Sequence, residues 1–215
     1  MFTFVREKYK LNVNYLGLPK IFLDFYELTR QEIFLKCFEN KYFTFAKLIH
    51  SKGAVDIHFD NDYVFRYSCE NGHLEVAKWL YSLGTSNRLL GTSNRLLGTD
   101  VHAQNDYAFR HSCLYGHLEI AKWLYSLGTD VHARDDYAFI YSCSSGHLEV
   151  AKWLYLLGAN IHADNDEAFR YSCENGRIEV AKWLYSLGSI DLSDDTFKYS
   201  CHGKLDVEKW LKTLE

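Results

Sequence analysis

The sequence predicts an all-α fold, a solenoid of helix-turn-helix repeats, on the strength of three observations. Four near-copies of one unit, such as NDYAFRHSCLYGHLEIAKWLYSLG from Asn105, occur along the chain. Each copy contains two stretches with helical apolar spacing, separated by a glycine. Tryptophans recur with separations of 44, 30, 30 and 27 residues, at Trp79, Trp123, Trp153, Trp183 and Trp210. Repetition at a fixed period of this length is the signature of a repeat stack.

The full and degenerate copies divide the chain into an N-terminal segment and a repeat domain. We predict a helical covering segment over residues 1–30 and a repeat domain over residues 31–215. Caps are predicted at residues 31–53 and 189–215, and full repeats at about 54–84, 99–128, 129–158 and 159–188. The caps depart from the pattern because each end of a stack has one neighbour instead of two. Thr29 and Glu32 fit a capping box that opens the first cap helix.

A direct duplication accounts for the one outsized spacing between tryptophans. GTSNRLL occurs at residues 84–90 and again at residues 91–97, which adds 14 residues to the 30-residue period. We place the inserted segment at residues 85–98. Because loop entropy grows slowly with length, we expect an exposed excursion between Leu83 and Asp100 that the stack tolerates.

Each repeat is predicted to contain two helices with different burial. Asp62 caps a first helix through Cys69, Gly72 supplies a left-handed turn, and Leu74–Leu83 forms a second helix closed by Gly84. The apolar arc of the second helix exceeds half its circumference, which predicts burial on both sides. The first helix has one buried and one open face. The intervening DVHA or NIHA segment predicts a short extended finger.

The composition of the chain argues against nucleic-acid-binding and membrane proteins. Lys+Arg 24 against Asp+Glu 28 gives a net charge of -4, which argues against a general phosphate-binding or anionic-membrane surface. Charges interrupt the first residues and the apolar stretch from Ile21 to Phe38, so neither an export signal nor a membrane span is expected. We expect a monomeric, intracellular, cytoplasmic protein whose six cysteines are reduced and buried.

The segment GHLEVAKWLYSLGTDVHA, assembled from these repeats, resembles the ankyrin repeat. Gly-His-Leu-Glu opens the second helix, as in that family, and the resemblance covers about residues 31–215. Asn-Asp before the first helix and Lys-Trp-Leu in the second resemble the ankyrin proteins of giant amoeba-infecting viruses, which would place the protein in the host cytoplasm. The resemblance implies a curved stack whose concave side, built from fingers and first helices, binds partner proteins. Asp-Tyr-Ala-Phe replaces the family's Thr-Pro-Leu-His, and the repeat is about three residues shorter than usual.

Recurrent cysteine and histidine invite a metal hypothesis, which geometry disfavours. Cys69, Cys113 and Cys143 each precede a histidine by four residues. Equivalent residues of stacked helices lie roughly 8–10 Å apart, whereas zinc requires four ligands at about 2.0–2.3 Å. We therefore expect no metal and no cofactor. The recurrent cysteines are expected to be small apolar residues at tight contacts between helices.

A second histidine column and the lack of catalytic motifs complete the chemical prediction. The histidines of the fingers are expected to make local backbone hydrogen bonds, namely His58, His102, His132 and His162. No phosphate loop, nucleophile elbow or His-Glu-x-x-His motif occurs. We therefore predict that the chain is not an enzyme and has no catalytic residues.

The open face of the first helices is the predicted binding surface. The helical wheel turns four positions per repeat outward, and the otherwise similar repeats differ from one another at these positions. Tyrosine and arginine, which are enriched at protein interfaces, predominate there. The predicted partner-binding residues are Tyr63, Arg66, Tyr67, Glu70, Tyr107, Arg110, His111, Leu114, Tyr115, Tyr137, Ile140, Tyr141, Ser144, Glu167, Arg170, Tyr171 and Glu174. Leu114, Tyr115 and Ile140 are expected to form an exposed apolar centre.

These patterns predict a non-enzymatic scaffold that binds an unidentified protein partner on its concave face. One alternative is an adaptor that recruits substrates to a larger complex through residues 1–30. Another is a single-stranded nucleic-acid binder, since tyrosine and arginine stack on bases, although the accompanying carboxylates oppose a phosphate track. A drifting gene copy with no selected partner is a further alternative.

Overall fold

The computed structural model describes residues 29–53, 55–88, 99–188, 190 and 204–214. Two compact units divide the chain, residues 1–67 and 68–215, and each is described by itself. The predicted covering segment at 1–30 lies almost wholly outside the described residues, as do residues 89–98 of the insertion and the start of the second cap.

The first compact unit contains a helical hairpin, α1 (Arg30–Glu39) and α2 (Phe43–Ser51), followed by α3 (Phe59–Glu70), whose last residues fall in the second unit. The predicted capping box at the start of α1 is confirmed. The Thr29 hydroxyl accepts the Glu32 N–H at 3.2 Å, and the Glu32 carboxylate accepts the Thr29 N–H at 2.6 Å. Such reciprocal bonds satisfy two of the N–H groups that a helix start leaves without partners.

The second compact unit confirms the predicted fold class, an all-α, ankyrin-like helix-turn-helix repeat solenoid. Its helices are α4 (Leu74–Arg88), α5 (Ala103–Leu114), α6 (Leu118–Ser126), α7 (Ala133–Ser145), α8 (Leu148–Leu156), α9 (Ala163–Glu174), α10 (Ile178–Ser186) and α11 (Leu205–Leu211). First helices α5, α7 and α9 pack in succession, and each contacts its own second helix. The described residues contain no strand.

Tryptophan recurs in the second compact unit because Trp123, Trp153, Trp183 and Trp210 each pack against rings of the preceding repeat. Trp153 of α8 makes edge-to-face contacts with Phe109 and Tyr125 of the preceding repeat, at centroid distances of 6.2 and 5.8 Å. Trp183 and Trp210 make the equivalent pairs of contacts. Aromatic pairs at such distances contribute about 0.5–1.5 kcal/mol beyond the buried area. Stacking thus accounts for the buried side of the second helix, which in one repeat contains Ile120, Ala121 and Leu124. The predicted burial on both sides is only partly confirmed, because tyrosines of the wide apolar arc such as Tyr125 are exposed.

The histidine of the Gly-His motif, which starts the second helix, joins neighbouring repeats. The Nε2 atom of His117 lies 2.9 Å from the carbonyl oxygen of Glu70, at the end of α3. A carbonyl only accepts, so Nε2 carries the proton and satisfies one of the carbonyls that a helix end leaves without a partner. Arg177 replaces histidine in the next junction but one, and its Nε donates to the Ser144 carbonyl at 3.3 Å.

The segments between repeats are compact turns, so the predicted extended finger is wrong. His102 has φ -91° and ψ 0°, and its N–H donates to the Asp100 carboxylate at 2.9 Å. Gln104, Asn105 and Asp106 then form a left-handed turn with φ between 55° and 57°. Left-handed residues cost about 1–2 kcal/mol each, least for Asn and Asp. This requirement explains the Asn-Asp pair that precedes the first helix.

The predicted roles of the turn's aspartate and histidine need correction. An N-cap residue ordinarily has extended backbone angles, whereas Asp62 has φ 60° and ψ 39°. The histidine ring bonds to this aspartate rather than to the backbone, as in His102 Nδ1 to Asp106 Oδ1 at 2.8 Å. The same pairing recurs for His58 with Asp62, His132 with Asp136 and His162 with Asp166.

The insertion does not begin as a loop at Gly84, which the sequence had predicted to close the second helix. Instead α4 continues to Arg88, through most of the first GTSNRLL copy. In an uninterrupted repeat, Gly128 (φ 96°) ends the helical segment and Thr129 is buried against the stack. The duplication places 14 residues between Gly84 and Thr99, the counterpart of Thr129. Thr99 still donates to the Leu80 carbonyl at 3.4 Å, but at that separation its contact does not end the helix at Gly84.

Candidate functional site

Three of the predicted surface residues are buried, which corrects the sequence-based surface. Arg66, Arg110 and Ile140 are 8%, 2% and 2% exposed. Their position borders the buried arc of the helical wheel, and the arginine side chain folds back along its own helix. Arg110 Nε and Nη2 donate to the carbonyls of Asn105 and Gln104 at 2.7 and 3.0 Å.

The buried arginine therefore holds the left-handed turn rather than facing a partner. Arg66 makes the same bonds to Asn61 and Asp60, both at 2.8 Å. Arg170, which is only half-buried, makes them to Asn165 and Asp164 at 3.1 and 3.0 Å. Ile140 fills the position with apolar volume instead. The predicted exposed apolar centre thus loses Ile140, while Tyr115 is 49% exposed and Leu114 is half-buried.

The remaining predicted residues are half-buried on their helices. In the first compact unit the Tyr63 and Tyr67 rings lie 6.0 Å apart. In the second unit Ser144 accepts a hydrogen bond from Asn175 Nδ2 at 3.0 Å. The other predicted positions of the second unit form a connected group of aromatic rings and carboxylates.

The rings of the first helices form a continuous aromatic ladder across three repeats, consisting of Tyr107, His111, Tyr115, Tyr137, Tyr141 and Tyr171. Tyr107 stacks on His111 at 3.7 Å, and His111 lies 6.3 Å from Tyr137 in the next repeat. Tyr137 stacks on Tyr141 at 4.1 Å, and Tyr141 meets Tyr171 edge-on at 6.1 Å. Tyr115 lies 6.2 Å from His111. Mutual stacking holds these side chains in place before any partner binds.

The guanidinium group of Arg110 lies over one ring of the ladder, that of Tyr137. The Cζ atom of Arg110 lies 4.8 Å from the centre of the Tyr137 ring, and that of the exposed Arg134 lies 5.9 Å from it. These distances are in the range of cation–π attraction. Arg110 thus links the turn of its own repeat to the ring of the next one. Burial, together with the nearby Arg134, lowers the pKa of Arg110.

Carboxylates stand at both ends of the ladder. The Tyr107 hydroxyl donates to Glu70 at 3.2 Å, and His111 Nδ1 lies 3.9 Å from the same carboxylate. At the other end, a hydrogen bond from its hydroxyl to Glu167 raises the pKa of Tyr171 to about 12. Partial burial, followed by the charge and hydrogen bond of Glu70, raises the pKa of Tyr115. The hydroxyls of Tyr115 and Tyr171 are therefore protonated donors at neutral pH.

The five cysteines in the described part of the chain are buried free thiols, as predicted, whereas Cys201 lies outside it; they are Cys37, Cys69, Cys113, Cys143 and Cys173. Burial raises the pKa of Cys37 to about 12 and raises those of Cys69, Cys113 and Cys143 further. A protonated, buried thiol is a poor nucleophile and a poor metal ligand. Within the described ranges, no three His, Cys, Asp or Glu residues are grouped so as to hold a metal ion.

Sequence reasoning found the tyrosine positions but missed how they are organised. It did not foresee the arginine bonds to the turn, the histidine–aspartate pairs or the guanidinium over Tyr137. One signal was present for the first of these, since arginine recurs five residues after the asparagine of the Asn-Asp pair in three of the four repeats.

The fold and this surface define a class, a helical repeat protein that presents side chains from successive first helices on one face. In agreement with that class, a family model of ankyrin repeats matches three copies over residues 109–195. No curated protein matches the chain. Ankyrin repeats are generally protein–protein interaction modules, and in the described part of the chain no helix is long and apolar enough to cross a membrane.

Proposed function

We propose that the chain is a non-enzymatic scaffold that binds a protein partner through the first-helix face of its repeats, the concave side that the ankyrin resemblance implies. The aromatic ladder is the observation that carries the proposal. Preordered aromatic side chains with hydrogen-bonding hydroxyl groups provide contact area at a low entropic cost, and such residues are enriched among binding hot spots.

The residues that remain candidates for direct contact are the ladder and its neighbours. Tyr115, the most exposed ring, lies beside Leu114, so an apolar contact and hydroxyl groups are offered together. Arg110 is a positioning residue for the Tyr137 ring and does not itself contact the partner, because its guanidinium is buried and bonded to the turn.

The proposal is tested by comparing captured proteins for the full chain and for two double variants. Tyr107→Ala with Tyr141→Ala removes two ladder rings. Tyr125→Ala with Tyr155→Ala removes two exposed rings of the second helices and serves as the matched control. We expect a defined set of proteins to be lost from the ladder variant and retained by the control, with similar thermal midpoints for both. Equal recovery by the two variants would reject the ladder as the binding surface.

Two alternatives remain as separate proposals. An adaptor that acts through residues 1–30 would lose its larger assembly, but not its ladder partner, when those residues are deleted. Stacked rings also suit single-stranded nucleic acid, but Glu70 and Glu167 bond directly to ladder hydroxyls and would repel phosphates. Binding of an oligonucleotide with a steep inverse dependence on salt would favour that alternative.

A further inference from the structure

The distribution of charge on the second compact unit distinguishes its two sets of helices. On the second helices, every glutamate of the repeated Leu-Glu motif faces a lysine three residues later. The Nζ–Oε1 distances are 3.8, 3.2, 3.2 and 4.0 Å for Glu75–Lys78, Glu119–Lys122, Glu149–Lys152 and Glu179–Lys182. Charge on that face is therefore neutralised locally, pair by pair.

On the first helices, the carboxylates interact with aromatic residues instead. Glu70 receives the Tyr107 hydroxyl, and Glu167 receives that of Tyr171. A neutral hydroxyl donor leaves the negative charge of a carboxylate in place. Glu174 lies near enough to Tyr171 to raise its pKa further. The ladder thus carries negative charge at its two ends.

The ladder's own chemistry also favours cations. The Arg110 guanidinium lies 4.8 Å from the centre of the Tyr137 ring, which demonstrates within the protein that a ladder ring accepts a cation. A cation over an aromatic face gains about 0.5–1 kcal/mol at an exposed site, and more where water is excluded. Arginine and lysine side chains of a partner would find the same rings together with the carboxylates.

Two of the ladder carboxylates lie three repeats apart along the stack. Glu70 and Glu174 occupy equivalent positions in their helices, and the two repeats between them carry Leu114 and Ser144 there. Three repeat spacings of roughly 8–10 Å each separate the two acidic ends by about 25–30 Å. The centre between them has no carboxylate at this position and contains the exposed ring of Tyr115 and the Tyr137 ring, over which the guanidinium groups of Arg110 and Arg134 lie.

We propose that the partner of this surface is a positively charged protein segment, with basic side chains that engage the carboxylates and rings at the two ends of the ladder. This inference rests on the proposed function and specifies the chemistry of the partner. An extended segment rises about 3.3 Å per residue, so basic residues roughly eight or nine positions apart would reach both ends.

Binding of fluorescein-labelled decalysine to the full chain tests this inference, with decaglutamate as the probe of opposite charge. Glu70→Gln, Glu167→Gln and Glu174→Gln together remove the ladder carboxylates. Glu119→Gln, Glu149→Gln and Glu179→Gln together are the matched control, because they change the net charge by the same amount on the second helices. If each ladder carboxylate contributes about a factor of two to three, as exposed ion pairs do, the first triple variant binds decalysine about tenfold more weakly. The control is expected to bind within about twofold of the unmodified chain.

The role of the rings is tested separately with variants that preserve size. Tyr107→Phe with Tyr141→Phe keeps both π faces and is expected to retain decalysine binding. Tyr107→Leu with Tyr141→Leu removes the faces and is expected to lose several-fold in affinity. Circular dichroism and thermal midpoints of all variants establish that each one is folded before its affinity is compared.

Several outcomes would overturn the inference. They are no preference for decalysine over decaglutamate, equal losses in the two triple variants, equal binding by the leucine and phenylalanine variants, and tighter binding of oligo-dT than of decalysine. If decalysine fails while the alanine ladder variant still loses captured proteins, the proposed function stands and its partner is not cationic.

Discussion

Gly116 packs directly against the ring of His147, which belongs to the next repeat. Gly116 ends the turn after α5 with φ 80°, and a Cβ built on it would lie 2.5 Å from Nδ1 of His147 in the next repeat. Glycine is needed there for two reasons, the left-handed backbone and the ring packed against it. The repeated Gly-His motif therefore describes a junction between repeats as well as a helix start.

Replacing Gly116 by alanine is expected to destabilise the protein more than the same change at Gly158. Both glycines are left-handed, but no atom lies within 4 Å of a Cβ built on Gly158. Gly158→Ala therefore bears only the backbone penalty of about 1–2 kcal/mol. Gly116→Ala must also displace the His147 ring, which hydrogen-bonds to the backbone of Leu114. Loss of that bond adds about 0.5–1.5 kcal/mol. Urea unfolding measures both changes, and equal losses would contradict the packing argument.

Acid is expected to weaken the stack partly through His147. Burial first, and then the charges of His117 and Arg177, lower the pKa of His147 below its ordinary value of 6.5. The folded state thus favours the neutral ring, and the unfolded chain binds the proton more readily. This contribution to stability is complete above about pH 6.5 and is lost as the pH falls from there towards the lowered folded-state pKa.

Replacement of His147 by glutamine removes the titrating ring while keeping an N–H donor at this position. Urea midpoints measured at pH 7.5 and 5.5 should therefore differ less for His147→Gln than for the unmodified chain. Because His50 in the first compact unit also has a pKa lowered by burial, some acid sensitivity is expected to persist. An unchanged difference between the two midpoints would show that His147 does not titrate in this window.

Arg110→Ala is expected to lower the free energy of unfolding by about 2 kcal/mol, because charged hydrogen bonds to two turn carbonyls are lost. If both side chains pointed outward, as the sequence analysis expected, Arg110→Ala combined with Ile140→Ala would leave the thermal midpoint nearly unchanged. Burial of both side chains reverses that expectation. Arg110→Ile, which copies the third repeat, should restore part of the loss by refilling the volume. Denaturant unfolding compares the variants, and a neutral Arg110→Ala would refute the turn-holding role.

Asp136→Asn is expected to destabilise the junction between two turns by about 1–3 kcal/mol. One carboxylate oxygen of Asp136 bonds to His132 Nδ1 at 2.8 Å, and the other accepts the Asn160 N–H at 3.3 Å. Asp135→Asn is the matched control, because Asp135 is exposed and asparagine tolerates its left-handed backbone. The control should change the free energy of unfolding by less than about 0.5 kcal/mol. Similar effects at both positions would argue against a specific carboxylate role.

The terminal helix is expected to open before the middle of the stack. In repeat proteins stability is a sum of neighbour contributions, and an end repeat has one neighbour. Amides of α11 should therefore exchange with solvent faster than those of α7. Hydrogen exchange followed by mass spectrometry resolves the two segments. Equal protection of both would contradict an additive stack.

The period of the repeats and the apolar arcs of their helices could be read from the sequence, because burial in a stack imposes the same local pattern on every copy. The capping box at Thr29 and Glu32 was equally readable, since both of its partners lie within one helical turn. The tyrosine positions of the aromatic ladder were also readable, from their placement on the open side of the wheel.

Only the tertiary structure decided what the long polar side chains do. A helical wheel gives the direction of Cβ, but the Arg110 guanidinium lies several bonds further on and bends back to carbonyls that become available only in a left-handed turn. Likewise, the contact between Tyr137 and Arg110, and that between Gly116 and His147, join different repeats. Sequence by itself determined the repeating unit and its two helices, because these depend on local spacing. The tertiary structure decided which side chains are buried in the stack and which stay accessible, because that depends on distances between residues some 30 positions apart.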